Sequence, residues 1–487
     1  VRARVERGEP FVCGPYGPRA PALAAMPASA AERHCELAPG LRICRLVNGL
    51  WQVADQERLA GGKKGQDGLA AAAEAMLPYV DRGQTTFDMA DHYGSAEDIL
   101  GAFAAAHPQS QVQVLTKWCP SPADMSGEVA REAVERSRKR TGGRLDLLQF
   151  HWWHYHDPRY LDALRSLQAC REEGLFGHLG LTNFDTAHLR LILASGIRVV
   201  SNQVCISLLD LRAAEDMSRL CLQHGVGLLA FGTLAGGLLT DRWLGKPEPS
   251  EEELATWSLQ KYRRFVEAAG GWGALQSLLR ALRAVADRHG CGIATVAVRY
   301  VMDLPAVAAV IVGVRLGERE HLGDSEAIFG LRLTPEDGAE IREALKALRR
   351  IPGDCGDEYR RPPFLTASGD LSHHLKCADG LASKLWGLSR VDPTTSGREK
   401  HRFHPYEGAR VFSGSVWEDV AGFCRAVRRG STVYVSGTTA TNGKEAVASL
   451  SNHEGTKGAQ ANADVATMCA RAQTTFVLDK IDAAIRT

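Results

Sequence analysis

From residue 43 to residue 329 short apolar runs alternate with longer amphipathic stretches, the signature of βα units feeding a parallel sheet. The pattern predicts strands at 44–51, 85–88, 113–117, 145–151, 177–181, 199–204, 227–231 and 308–312. Between them, apolar residues recur at three and four positions, predicting helices at 69–80, 129–141, 161–173, 186–194, 213–224 and 274–289. Eight strands with interleaved helices make a closed (β/α)8 TIM barrel, an α/β fold. No Gly-x-Gly-x-x-Gly turn follows the first strand, which leaves a doubly wound dinucleotide domain as the weaker alternative.

The rest of the chain lacks this rhythm. Residues 1–40 are rich in Ala, Pro and Arg and have no apolar periodicity, so they are expected to form a disordered or organelle-targeting segment. Localisation is accordingly expected in the cytoplasm or in an organelle stroma or matrix. The barrel is expected over 41–349, ending with an amphipathic stretch at 335–348. Residues 350–400, dense in Pro, Gly, Asp, Ser and Arg, are expected to be a linker. Residues 401–487 then show strands at 411–418 and 425–439 and a helix at 474–485, a small and incomplete α+β module.

Composition narrows the classes of partner. With 58 Lys and Arg against 57 Asp and Glu, a net charge of +1 supplies no basic field for nucleic acid or for an anionic membrane. The longest apolar run, 304–314, is too short to span a bilayer and has the character of a buried strand. Twelve cysteines occur without a Cys-x-x-Cys pair, which favours reduced, buried thiols over a zinc site or a disulfide framework. The run from His151 through Trp152, Trp153, His154 and Tyr155 to His156 matches no familiar ligand spacing, so no metal is expected. A small molecule or another subunit remains as partner.

In a parallel barrel the chemistry sits at the carboxyl ends of the strands. Asp88 ends the second predicted strand and Tyr93 follows it; Lys117 ends the third, and His151 ends the fourth. An acid, a phenol, an amine and an imidazole thus reach one rim from three adjacent strands. Reducing a carbonyl by hydride transfer leaves an alkoxide, which needs an acid that keeps its proton at neutral pH, and a tyrosine is such an acid. A neighbouring ammonium, Lys117, is expected to lower the phenol's pKa, with Asp88 keeping that ammonium charged and oriented. His151 can hydrogen-bond the carbonyl oxygen. Taken singly, a buried Asp–Lys pair is more often structural, and a Tyr or His at a strand end is usually a packing residue.

Asp88, Tyr93, Lys117 and His151, in this order and local context, resemble the catalytic tetrad of the aldo-keto reductase superfamily, and the resemblance runs over residues 43–335. Gly-Leu-Trp-Gln after the first strand adds Gly49 and Trp51 as expected cofactor contacts. Gly-Leu-Thr-Asn-Phe is similar to the family's Gly-Val-Ser-Asn-Phe, which implies that Thr182 and Asn183, with Gln203 on the next strand, hold the nicotinamide carboxamide. Ala-Phe-Gly-Thr-Leu resembles the family's Ala-Tyr-Ser-Pro-Leu, which implies that Phe231 stacks on the nicotinamide and that Leu234 lies beside it. Residues 311–325 resemble the family's cofactor-closing segment. There Asp324 and Ser325 are expected near the adenosine, and Arg315 could pair with a ribose 2′-phosphate and select NADPH, with NADH as the alternative. Trp51, Trp118, Trp152 and Trp153 are expected to line an apolar substrate mouth, although packing between barrel and helices accounts for the last three almost as well.

Phe-Ser-Gly-Ser-Val-Trp-Glu at 412–418, Val-Tyr-Val-Ser-Gly-Thr-Thr-Ala at 433–440 and Gln-Thr-Thr-Phe-Val-Leu-Asp-Lys-Ile at 473–481 resemble the YjgF/Rid family, without that family's later strands. The resemblance implies self-association through this module. The leading expectation is an NAD(P)H-dependent reductase of an aldehyde or ketone. The alternatives are a cofactor-binding sensing subunit with negligible turnover and a Rid-like protein that handles enamines or imines.

Overall fold

The computed structural model describes residues 33–360, apart from 62–64, 121–124, 156, 255 and 319–321 and the side chains of 58 and 59, together with the backbone of short strands between 410 and 448. Eight parallel strands close into a barrel in the order β10-β3-β4-β5-β6-β7-β8-β9. They are β3 (Leu46–Gly49), β4 (Thr86–Asp88), β5 (Gln113–Trp118), β6 (Leu147–His151), β7 (His178–Thr182), β8 (Ser201–Cys205), β9 (Gly227–Phe231) and β10 (Val307–Gly313). The eight predicted strands are all present. The first is shorter than expected, because Trp51 already opens the helix Trp51–Leu59.

Side-chain parity explains what the barrel holds. Successive residues of a strand face opposite sides. On β5 and β6 the inward set is Leu115, Lys117, Leu147, Gln149 and His151, while Val114, Leu148, Phe150 and the following Trp152 pack outward against the helices. Apolar side chains thus fill the lower barrel and polar ones the upper rim.

The lower opening is closed by a feature that the sequence pattern missed. β1 (His34–Ala38) and β2 (Leu41–Cys44) pair antiparallel, and Leu37, Leu41 and Ile43 pack against Val47, Leu115, Leu147 and Leu229. Each such side chain, fully buried, contributes roughly 1.5–3 kcal/mol. Gly227 makes room for this plug, since a Cβ there would lie 2.5 Å from Leu37 Cδ1. Residues 33–40 therefore belong to the barrel and not to a loose N-terminal segment; residues 1–32 lie outside the described residues.

The expected linker also begins differently. Residues 351–360 lie on the upper rim as a strap ending in the single 3-10 turn Asp357–Tyr359. Asp354 accepts a hydrogen bond from Thr186 N at 2.9 Å, at the start of the helix Thr186–Ala194. Arg212, itself paired with Asp210 at 2.7 Å, also reaches Glu358 at 2.8 Å, and all three are buried. Arg360 donates to the carbonyls of Asn183 (2.7 Å) and Trp152 (2.5 Å) and lies 3.9 Å over the Tyr155 ring. A buried arginine pairing two carboxylates and a second arginine on two carbonyls hold this segment far more firmly than a linker needs. Residues 361–400 lie outside the described residues.

Of residues 401–487, the described backbone comprises Arg410–Val411, Ala426–Arg429 and Thr432–Val435 as an antiparallel three-stranded sheet, and Ala440–Thr441 paired with Ala446–Ala448. The predicted helix at 474–485 lies outside the described residues. Among the described residues no helix is long and apolar enough to cross a membrane.

Candidate active site

The upper rim of the barrel opens into a cleft of about 880 Å³. At its floor β4, β5 and β6 deliver their terminal polar residues. Lys117 Nζ donates to Asp88 Oδ2 at 2.5 Å and to the carbonyl of Met89 at 2.7 Å, and the pair is almost fully buried. The ammonium lies 4.6 Å from the centroid of the Tyr93 ring, facing it. His151 lines the same cleft, and so do Asp88 and Tyr93; Lys117 lies behind them.

Two glutamines outside the tetrad tie this group together. Gln149, two positions before His151 and of the same parity, donates to Asp88 Oδ1 at 2.9 Å. Gln203 donates to the same oxygen at 2.8 Å and to Gln149 Oε1 at 2.8 Å. Asp88 therefore has donors on both oxygens, and its orientation is fixed from three strands. The amide hydrogens of Gln203, expected for the nicotinamide, are already engaged here. The inward parity of Gln149 is the signal that could have found it.

The electrostatics reverse one expectation. The Tyr93 phenol is held well above its ordinary pKa, first by burial and then by the negative charge of Asp88. The Lys117 ammonium is pushed down by burial, against the opposing pull of Asp88. Lys117 was expected to lower the phenol's pKa; its charge faces the ring and is largely balanced by Asp88, so desolvation decides. The phenol keeps its proton at neutral pH.

The expected cofactor residues all reach the cleft. Gly49, Trp51, Thr182, Asn183, Gln203, Phe231, Leu234, Arg315, Asp324 and Ser325 all line the cleft. Asn183 Nδ2 lies 3.2 Å from His151 Nε2, and the Asn183 backbone takes a positive φ of 56°. Asn183 Oδ1 and Thr182 Oγ1 are buried without a hydrogen-bond partner among the described residues. Buried polar atoms are normally satisfied, so two open ones side by side fit a ligand that carries an amide. Phe231 offers a ring at the cleft wall, with Lys261 Nζ 5.0 Å over it. Arg315 pairs with Glu318 at 3.2 Å on the rim.

The four expected tryptophans divide. Trp51 lines the cleft and meets Tyr93 edge to face at 4.9 Å. Trp118 and Trp152 do not line it: each follows an inward-facing strand residue, points outward, and packs against Phe150 in the layer between barrel and helices. Trp153 is nearer the chemistry, with its ring 5.6 Å from His151. Tyr359, contributed by the strap, lines the cleft and meets His151 edge to face at 5.6 Å. Nothing in the local sequence marks it.

Comparison with known proteins agrees with this geometry. The aldo/keto reductase family profile matches residues 45–346. A glycerol dehydrogenase from Gluconobacter oxydans superposes with a TM-score of 0.56 at 22% identity, over 66% of this chain and 98% of that one. Among sequence relatives, a versiconal hemiacetal acetate reductase of Aspergillus parasiticus is 23% identical over 65% of this chain and 97% of its own length. An aldo-keto reductase of Bacillus subtilis is 25% identical over 66% and 96%. A flagellar radial spoke protein of Chlamydomonas reinhardtii is 25% identical over 48% of this chain, and the match spans only 57% of that longer relative. With the profile covering all eight barrel strands and the four tetrad residues, the chain belongs to the aldo/keto reductase family of nicotinamide-dependent carbonyl oxidoreductases.

Proposed function

We propose that the chain reduces an aldehyde or ketone with Tyr93 as general acid and NADPH as the preferred cofactor. The bound nicotinamide supplies the hydride. Tyr93 then gives its phenolic proton to the alkoxide oxygen, and its raised pKa ensures that the proton is present when needed. Lys117, facing the ring at 4.6 Å, stabilises the phenolate that remains. Asp88 holds Lys117 in place and is itself held by Gln149 and Gln203. His151 orients the carbonyl oxygen.

The observation that carries this reading is the buried Lys117–Asp88 pair beneath Tyr93, next to the two open acceptors Thr182 Oγ1 and Asn183 Oδ1. Those two would hold the carboxamide, with Gly49, Trp51 and Leu234 shaping the pocket around Phe231. Asp324 and Ser325 would face the adenosine. Arg315 would exchange Glu318 for a ribose 2′-phosphate, because a dianion is a stronger partner than a single carboxylate. Residues 401–487 are assigned to a YjgF/Rid-like module for self-association on sequence resemblance alone, and 361–400 to the linker.

The test is cofactor oxidation by the purified chain with a panel of aldehydes and ketones, beside Tyr93→Phe. Loss of roughly 10²–10⁴-fold in kcat with the Phe variant is expected; an undiminished rate would remove Tyr93 from its role.

A further inference from the structure

Lys261 belongs to the helix Trp257–Ala268, and its side chain enters the cleft wall with only 7% of the residue exposed. Its Nζ donates to Tyr359 Oη at 2.7 Å, which is its one hydrogen bond among the described residues. The ammonium lies 4.5 Å from the Tyr359 ring centroid, 5.0 Å from that of Phe231 and 5.2 Å from that of Tyr262. These rings favour the charged form but accept no conventional hydrogen bond. An ammonium carries three N–H donors, so two remain open. Tyr359 Oη, having accepted from Lys261, still has its own proton to give, and no acceptor for it exists among the described residues.

Burial opposes the charge of Lys261, yet Tyr359, Cys205 and Glu358 outweigh it and its pKa is raised; at neutral pH, where the phenol and the thiol keep their protons, the hydrogen bond to Tyr359 and the Glu358 carboxylate favour the ammonium. Arg212, the nearby arginine, is already paired with Asp210 and Glu358. The cleft wall therefore presents a desolvated cation and a phenol, donors without acceptors, beside the imidazole where the carbonyl would sit. A neutral substrate would leave these donors without a direct acceptor, although the Glu358 carboxylate still balances part of the charge. A carboxylate would answer them with charge-assisted hydrogen bonds.

We propose that Lys261 and Tyr359 form an anion subsite on the substrate side of the cleft, and that the preferred substrates are short oxo acids with a carboxylate a few carbons from the reacting carbonyl. Tyr359 meets His151 at 5.6 Å between ring centroids, which sets the subsite next to the imidazole and so favours a short chain between carboxylate and carbonyl. The proposal rests on the reductase reading for its substrate, but not for the anion site itself.

The discriminating pair is 4-oxobutanoate and butanal, equal in chain length and different in charge. The intact chain should show the higher kcat/KM for the acid. In Lys261→Met the ratio of acid to neutral kcat/KM should fall by about 10- to 100-fold, the worth of a charge-assisted hydrogen bond. Lys261→Arg should restore part of that preference, and Tyr359→Phe, which keeps the ring packing, should lower the ratio by a smaller factor. Calorimetric titration with succinate reads the site without turnover: binding to the intact chain that Lys261→Met loses supports the subsite even if no carbonyl is reduced. Turnover of butanal with no acid preference and no succinate binding would overturn the proposal and leave the reductase reading standing. So would an unchanged ratio in Lys261→Met combined with a raised Kd for NADPH, which would assign the ammonium to the cofactor's phosphates.

Discussion

Asp88→Asn is the sharpest probe of the site's electrostatics, because it alters charge and donor pattern with hardly any change in volume. In the native arrangement Asp88 takes Lys117 on one oxygen and the Gln149 and Gln203 amides on the other, at 2.5, 2.9 and 2.8 Å. An asparagine has one acceptor atom and one donor atom, so whichever way it turns, an N–H meets another donor. Lys117 meanwhile loses its counter-charge at a position 1% exposed. Removing one partner of a buried pair costs about 3–5 kcal/mol. That is within the 5–15 kcal/mol by which domains are usually stable, so the variant should fold. Its melting temperature should drop by roughly 5–15 °C. Lys117→Met alone should also destabilise. The double variant should recover about 2–3 kcal/mol relative to the sum of the two, since each substitution removes what the other leaves unpaired. Thermal and denaturant unfolding of the four proteins measures this cycle. Additive effects, or a cost below about 1 kcal/mol for Asp88→Asn, would refute the claim that a desolvated ion pair supports Tyr93.

Three further outcomes follow from other parts of the molecule. Arg315→Ala should reduce the preference for NADPH over NADH by about 10- to 100-fold, as for one charge-assisted contact, and Glu318→Gln should sharpen it by freeing the guanidinium; KM values for the two cofactors decide. Gly356 has φ 83°, and a Cβ there would lie 2.4 Å from the Asn183 carbonyl, so Gly356→Ala should cost more than the roughly 1 kcal/mol of a left-handed alanine. Because the strap would be pushed off Asn183, cofactor Kd should rise several-fold in the same variant; an unchanged Kd would disconnect the strap from the nicotinamide end. Asp337 closes a capping box with Thr334 and bonds Arg288 and His289, and although burial pushes its pKa up, these partners outweigh it and hold it far below the ordinary range. A depressed carboxylate stabilises fully above its unfolded pKa of about 3.9 and loses that contribution as pH falls toward its folded value. The stability gap between the native chain and Asp337→Ala should therefore narrow below about pH 4 and stay flat above pH 5.

The barrel was legible because its signal is repeated eight times and its period changes between strand and helix at every unit. The tetrad was legible because strand ends in a parallel barrel share one rim. What escaped has physical causes. Trp118 and Trp152 were expected at the substrate mouth through nearness in sequence to Lys117 and His151, but adjacent strand residues face opposite ways. The same parity points to Gln149, which holds Asp88, and singles out Trp153 among the expected tryptophans as the one beside His151. The plug hairpin escaped because its strands are five and four residues long and begin within a polar, alanine-rich stretch. The effect of Lys117 on Tyr93 was misjudged because a sequence shows which charges are near but not how much water they lose.

The strap escaped for a different reason, and its geometry shows why so few residues suffice. In a 3-10 turn successive side chains lie about 120° apart. Across the turn Asp357–Tyr359 and the residue after it, this rotation sends three consecutive side chains to three different places. Glu358 turns to the buried Arg212, Tyr359 to Lys261 and the face of His151, and Arg360 to the carbonyls of Asn183 and Trp152. A periodic element buries one face and announces itself by its pattern, whereas a single turn used in this way buries every direction once and leaves none. Charged residues in a Pro- and Gly-rich stretch then have the composition of a solvated loop, although Glu358 is wholly buried. Each of the three contacts ties the strap to a separate part of the rim: the Arg212 network, the cleft wall and the backbone of Asn183. The cleft is thus completed by Tyr359, which lies beyond the matched residues 45–346, so substitutions in this strap are expected to alter which substrates the cleft accepts.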